Sequence, residues 1–374
     1  MADVATRSDP NDGSSQIVTV SIDGVAHELH AIWLRDACQC GHCRRPTTNE
    51  RLLDSTTIPL DLTISSIVDA DERLVAVSSD GHEIVVDCRW LREHLRSVDL
   101  RHDPARGFEL WTGRAQHVES FPRAVLGSEH GVFRWLDTVL RRGAARLHGV
   151  DPHDAALRSA AAVVGEIRAT NYGVTWEIEA TVEPVSAVDS ERHLFAHTDL
   201  PYREVAPGVQ LLLAVVVDVP GGESTLVDGY AVAEQLRTVD PDAWRLLTTT
   251  EFSYPFVRDD VELIGRAPII GLHANGRYHQ IRRAPDLVGV PFVATDETPA
   301  LYAALRAWND LVDAPENEVR VALRPGDLLA FDNHRMLHGR TAFELGAEGR
   351  RRLLGCYLDI EDVRSRRDIA ARRR

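Results

Sequence analysis

Two spacings of apolar residues divide the chain. From residue 17 to about 98, apolar and polar positions alternate. QIVTVSIDGVAHELHAIWL alternates around Asp23-Gly24, and LVAVSSDGHEIVVDC around Asp80-Gly81. Alternation sends every second side chain to one face, so both stretches predict β-hairpins turned at Asp-Gly. RWLREHLRSV then predicts a short helix. Between 99 and 125 the pattern lapses around Pro104, Gly107, Gly113 and Pro122, which reads as a linker. Beyond it, GVFRWLDTVLRRGAARL and HDAALRSAAAVVGEIRAT repeat apolar residues every three or four positions and predict helices.

Strand patterns follow. VQLLLAVVVDV is an apolar, β-branched run that stops at Pro220-Gly221-Gly222. PIIGLHANGRYHQI predicts a hairpin around Asn275-Gly276, and VRVALRPGDLLAFD another around Pro325-Gly326. Helices are expected at about 230–237 and 297–311. Many short antiparallel strands with helices outside them predict a mainly β fold, a barrel-like double-sheet jelly roll. The expected organisation is a disordered stretch at 1–16, a small β-rich unit at 17–98, a linker at 99–125, the jelly roll at 126–364 and a solvated basic tail at 365–374.

Composition narrows the function. The 374 residues exceed one ordinary core, and 44% hydrophobic with 26% charged residues is the balance of a globular protein. No apolar run approaches the roughly 18 residues of a membrane helix. The polar start MADVATRSDPNDGSSQ lacks a signal pattern, so a cytoplasmic address is expected. A net charge of −15 argues against a nucleic-acid partner. None of the 42 basic residues is lysine, which excludes Walker-loop, Schiff-base and pyridoxal-phosphate chemistry.

The cysteines are Cys38, Cys40, Cys43, Cys88 and Cys356. An odd number with three packed into one loop points to a metal in a reducing compartment, not to disulfides. Cys-x-Cys-x2-Cys supplies three thiolates, and one imidazole would close a structural zinc tetrahedron. His42 and His82 both remain open for that place.

His197-Thr198-Asp199 offers a second constellation. Residues i and i+2 of a strand share a face, so His197 and Asp199 can reach one metal. FDNHRMLHGRTAF supplies His334 or His338 as a third donor, and Arg351 lies thirteen positions after His338. Two histidines and one carboxylate leave open positions on an octahedral iron, as in non-haem Fe(II) oxygenases. Arg351 could grip a keto-acid co-substrate.

HTD, the PGGEST turn and NHRMLHGR with Arg351 downstream resemble the Fe(II)/2-oxoglutarate dioxygenases of the taurine dioxygenase superfamily. WLRDACQCGHC and SSDGHEI extend the resemblance to its γ-butyrobetaine hydroxylase and trimethyllysine hydroxylase branch, over nearly the whole chain. The resemblance implies a double-stranded β-helix catalytic domain behind a small zinc domain, and a homodimer. It matches His197, Asp199 and His338 to the iron ligands and Cys38, Cys40, Cys43 and His82 to the zinc ligands. Arg351 and Ser224 match the 2-oxoglutarate site; Tyr172, Trp176, Asp189 and Tyr357 match substrate-cage positions. Aromatic faces suit a trimethylammonium group, which has no N–H to donate.

Two departures bear on the substrate. Asp189 stands where an aromatic residue is expected, and Leu200 where a tyrosine is. At the substrate-carboxylate positions stand Ser186 and the stretch YHQIRRAPD, where Arg282 and Arg283 would suit a carboxylate, phosphonate or sulfonate. The resulting expectation is hydroxylation of an unactivated C–H of a small cationic or zwitterionic metabolite with O2, a γ-butyrobetaine-like compound first. The same machinery acting on another amine, amino acid or alkylphosphonate, with hydroxylation, desaturation or cyclisation, is the alternative. A non-catalytic metal-binding scaffold and a zinc hydrolase complete the set.

Overall fold

The computed structural model describes residues 6–7, 15–22, 24–70, 72–95, 103–113, 118–179, 191–258, 260–344 and 349–374. Apart from residues 6, 7, 15 and 16, the expected disordered stretch lies outside these. The chain forms two compact units, Met1–Asp99 and Leu100–Arg374.

The first unit holds two three-stranded antiparallel sheets. One pairs Thr6–Arg7, Ile17–Ile22 and Val25–His30; the other pairs Ile64–Ala70, Arg73–Ser78 and Glu83–Asp87. Gly24 and Gly81 take positive φ at the two expected turns, which only glycine does without strain. Alternation delivers Val18, Val20, Leu74, Ala76, Ile84 and Val86 to one core, with Leu34 of the helix Ala31–Asp36 and Leu91 of Cys88–Leu95.

The second unit is built on a jelly roll of two sheets, with two two-stranded sheets beside them, Phe252–Arg258 with Val261–Ala267 and Ile270–Leu272 with Tyr278–Ile281. Its six-stranded sheet runs in the order Ser120–Pro122, Ala144–His148, Leu328–Asp332, Val209–Asp218, Arg350–Leu358, Trp176–Glu179. Its four-stranded sheet runs Leu194–His197, Met336–Arg340, Ser224–Asp228, Glu318–Val321. The apolar run after Val209 is continuous because both faces of that strand are covered. Leu212 and Ala214 turn inward to Leu226, Phe331 and Leu353, while Leu211 and Leu213 turn outward to a core shared with Trp135 and Leu136.

Four sequence expectations change. The helix Glu129–Arg142 stops at Gly143, at φ +84°, and the next residues, Ala144–His148, form a strand paired with Leu328–Asp332. Apolar spacing runs on through the glycine, so the pattern hid the break. The second helix covers only Asp154–Ala162. VRVALRPGDLLAFD is a corner, not a hairpin: Glu318–Val321 and Leu328–Asp332 belong to different sheets. Gly326, at φ +89°, has the same local form in either arrangement, and the covering of both strands decides between them.

The fourth change concerns the linker and tail. Where it is described, the 99–125 stretch is pinned to the second unit. Trp111 donates its N–H to Asp228 at 3.2 Å and its indole to Arg142 O at 2.7 Å, and Ser120–Pro122 joins the sheet. The basic end is the helix Ile360–Arg373. Arg366 bonds Glu129 at 2.6 Å and Arg367 bonds Asp137 at 3.0 Å, so acids on the helix Glu129–Arg142 draw these arginines onto the fold.

Among the described residues, no helix is long and apolar enough to cross a membrane.

Candidate active site and metal centres

Register builds the iron candidate. Leu194–His197 pairs with Met336–Arg340 so that His197 and His338 lie directly opposite, with ring centroids 4.3 Å apart. Gly339 allows this approach: a Cβ there would strike Leu194 O on one side and crowd Thr225 Oγ1 on the other. Asp199 Oδ1 lies 3.4 Å from His197 Nε2 and 3.5 Å from His338 Nε2. Donors about 2.1 Å from a first-row metal sit roughly 3.0 Å apart at right angles and about 3.4 Å apart at the tetrahedral angle. The three donors therefore fit a single ion.

The surroundings aim His197 and Asp199. His197 Nδ1–H donates to Phe195 O at 2.9 Å, which leaves Nε2 as the free lone pair. Burial opposes charge on Asp199, but His338 and His197 outweigh it and hold the carboxyl well below its usual range. Tyr357 O–H donates to Asp199 Oδ2 at 2.7 Å, leaving Oδ1 to face the histidines. His334, the rival donor, is spent elsewhere: it is buried and its Nε2 bonds Ala206 O at 2.9 Å.

Arg351 sits on the strand Arg350–Leu358 and is 4% exposed. Its Nη2 donates to Gly222 O at 3.3 Å, while its Nε is buried without a partner. Among the described residues no carboxylate pairs with it. Burial, and then Arg340, push its pKa down to about 10. A desolvated guanidinium beside a second one fits an incoming carboxylate. Ser224 is buried opposite Arg340, whose strand alternates so that Arg340 and His338 share the inner face.

Cage positions divide. Trp176 lies across Gly355, where a Cβ would collide with its ring, and its centroid is 5.4 Å from that of Tyr357. Tyr172 is half exposed, edge-on to Phe256 at 6.4 Å, and Phe256 stacks on Tyr202 at 4.3 Å. Asp189 and Ser186 lie outside the described residues. Arg282 and Arg283 are not free to meet an anion. Arg282 donates to Pro201 O at 2.9 Å and Glu204 O at 2.7 Å; Arg283 binds Asp313 at 3.0 Å, Asn309 at 3.0 Å and Ala196 O. Backbone carbonyls that fold over a cation cannot be anticipated from composition.

In the first unit, His82 Nε2 lies 3.4, 3.5 and 3.4 Å from the sulfurs of Cys38, Cys40 and Cys43. Zn–S of about 2.3 Å and Zn–N of about 2.0 Å at the tetrahedral angle put S and N roughly 3.5 Å apart. Burial pushes Cys38 up to about 12, so three adjacent thiolates need a cation to coexist. His42 is exposed and outside the cluster. Sequence patterns missed the support here: Arg35 donates to Cys43 Sγ at 3.1 Å and to Asp80 at 3.0 Å, and Asp80 accepts from His82 N–H at 3.1 Å.

Both units match known families. Residues 11–83 match the family described as gamma-butyrobetaine hydroxylase-like, N-terminal. A gamma-butyrobetaine dioxygenase from Pseudomonas sp. (strain AK-1) is 33% identical over 92% of this chain and 91% of its own length. A trimethyllysine dioxygenase from Meyerozyma guilliermondii is 28% identical over 94% and 93%. The solved structure of AAD-2 with Mn(II) and N-oxalylglycine shares the fold at TM-score 0.51 and 14% identity, over 65% of this chain and 96% of that one. The taurine catabolism dioxygenase TauD, TfdA family matches residues 115–357, the span that carries the His/Asp/His group and Arg351, and this chain belongs to that family.

Proposed function

We propose that the protein is an Fe(II)- and 2-oxoglutarate-dependent hydroxylase of a small trimethylammonium zwitterion of the γ-butyrobetaine kind. One observation carries this reading: His197, Asp199 and His338 converge on one point while Arg351, buried without a carboxylate among the described residues, faces the same interior. A zinc hydrolase would give Arg351 no purpose, and a scaffold would have no reason to keep a desolvated cation.

His197, Asp199 and His338 would hold the iron, and Arg351 with Ser224 the far carboxylate of 2-oxoglutarate. When bound, iron and 2-oxoglutarate supply the oxidation of an unactivated C–H, with O2 consumed and succinate and CO2 released. The chain's own contribution is placement. Tyr357 fixes the Asp199 carboxylate, and Trp176 and Tyr172 offer aromatic faces to a cation without N–H groups. Phe331, Leu226 and Leu353 keep water from the interior between the sheets. Cys38, Cys40, Cys43 and His82 would hold a structural zinc. A cytoplasmic homodimer completes the proposal.

Trimethylammonium is preferred because Trp176 and Tyr357 bring two aromatic rings together at 5.4 Å; Arg282 and Arg283, committed to the fold, are left out of the recognition of any anionic group. The test is anaerobic reconstitution with Fe(II), then O2, 2-oxoglutarate and a panel of trimethylammonium compounds, amino acids and alkylphosphonates. Succinate formation and a product one oxygen heavier are expected with a trimethylammonium member, and neither in His197→Ala, Asp199→Ala or His338→Ala. Undiminished turnover in those variants rejects the site. Turnover of only an amino acid or phosphonate rejects the substrate class.

A further inference from the structure

Asp199 is restrained on its backbone as firmly as on its carboxylate. Asn333 is fully buried, and its side-chain amide closes on the Asp199 peptide groups from both sides. Its Oδ1 accepts from Asp199 N–H at 2.7 Å, and its Nδ2 donates to Asp199 O at 3.1 Å and Pro207 O at 3.0 Å. The clamp is itself anchored. Asn333 N–H donates to Gly208 O at 2.7 Å, and two residues on, Arg335 forms a fully buried bidentate pair with Asp228.

A second observation points to the same place. Leu200, immediately after Asp199, has φ +53°, a left-handed conformation that a leucine adopts only under restraint. Its side chain is 6% exposed and packs into the core with Tyr202 and Tyr254. The chain must leave Asp199 at this angle, and the Asn333 amide is the group that holds both the N–H and the C=O of the residue before the turn.

We propose that Asn333 is a positioning residue for Asp199. Its amide fixes the peptide orientation from which the carboxylate reaches the metal, so part of the ion's affinity resides in a side chain that does not touch it. This rests on the iron reading of His197, Asp199 and His338. Core packing alone does not account for it. A leucine would fill the same space, but it would leave the Asp199 N–H and C=O without their partners.

Asn333→Ala and Asn333→Ser test it, the latter keeping one short hydroxyl in place of the amide without burying a charge. Anaerobic calorimetric titration with Fe(II) should show affinity weakened about 10–100-fold in Asn333→Ala and by an equal or smaller factor in Asn333→Ser. In the metal-free proteins, hydrogen exchange over residues 195–204 should be faster than in the wild type. Melting temperature and hydrogen-exchange protection of the strand Val209–Asp218 report whether each variant is folded. If Asn333→Ala does not fold, the Asn333→Ser comparison decides. A folded variant with wild-type Fe(II) affinity and exchange overturns the proposal. Fe(II) binding that survives His197→Ala in an otherwise wild-type chain overturns the iron reading instead.

Discussion

The phenol of Tyr357 and the carboxylate of Asp199 share a 2.7 Å hydrogen bond inside the jelly roll. A hydrogen bond to a charged group contributes about 1.5–3 kcal/mol. Tyr357→Phe keeps the ring beside Trp176 and removes only the hydroxyl. Activity at limiting Fe(II) should fall at least about tenfold and recover in part at saturating Fe(II). A Fe(II) titration of the rate checks this; a loss equal at all Fe(II) concentrations would place the hydroxyl on the substrate instead.

Arg351→Met should separate affinity from stability. A buried cation without a carboxylate destabilises the co-substrate-free protein, so the methionine variant should melt higher than wild type when no 2-oxoglutarate is present. The same variant should bind 2-oxoglutarate at least about tenfold more weakly, and Arg351→Lys should not restore it, because lysine lacks the planar fork. Thermal melts with and without 2-oxoglutarate measure both effects.

Gly355→Ala should expel the Trp176 indole from its shelf, because the added methyl occupies the position of the ring. Overpacking of this kind costs about 1–3 kcal/mol. The expected result is a raised KM for the trimethylammonium substrate with little change in the KM for 2-oxoglutarate, read from steady-state kinetics with each varied in turn.

Cys43→Ser should lower the zinc content and unfold the first unit, since a structural zinc contributes folding free energy directly. Plasma emission spectroscopy gives the metal stoichiometry. Protection of the strands Ile17–Ile22 and Glu83–Asp87 in hydrogen exchange should be lost, while that of Val209–Asp218 persists.

His279 carries an acid sensitivity. Partial desolvation, then His273, His334, Arg282 and Arg364, push it down to about 4. Its folded pKa lies below the roughly 6.5 of an unfolded histidine, so the unfolded chain takes up the proton first. This contribution to stability is complete above about pH 6.5 and is lost as pH falls toward 4. His279→Gln should flatten the acid limb of the melting profile, and an NMR titration midpoint near 6.5 for His279 would contradict the assignment.

Legibility in the sequence followed distance along the chain. Cys38, Cys40 and Cys43 share a loop, and Asp199 lies two residues past His197, just beyond the end of the strand Leu194–His197, so spacing alone suggested metal chemistry. Choosing His82 over His42, or His338 over His334, needed the family resemblance, because either histidine could be drawn in. Asn333 acts on a peptide 134 residues away and Arg35 on an aspartate 45 residues away, and neither leaves a local pattern. The C-terminal arginines read as solvated because their acids, Glu129 and Asp137, lie on a helix more than 200 residues earlier. Turn chemistry was reliable for the bend at Gly326 and silent about which sheet the chain enters next.

The strand Arg350–Leu358 turns Arg351, Leu353, Gly355 and Tyr357 to one side. Six residues of strand span about 20 Å. The strand is thus a measuring rod: the grip proposed for the co-substrate, the shelf under Trp176 and the support of Asp199 are set at fixed marks along it. Lengthening or shortening it by one residue between those marks would turn half of them outward, whereas substitution at either end leaves the spacing intact. Divergence in substrate can accumulate around Gly355, under Trp176, while Arg351 at one end and Tyr357 at the other hold their places, and insertions belong in the loops on either side.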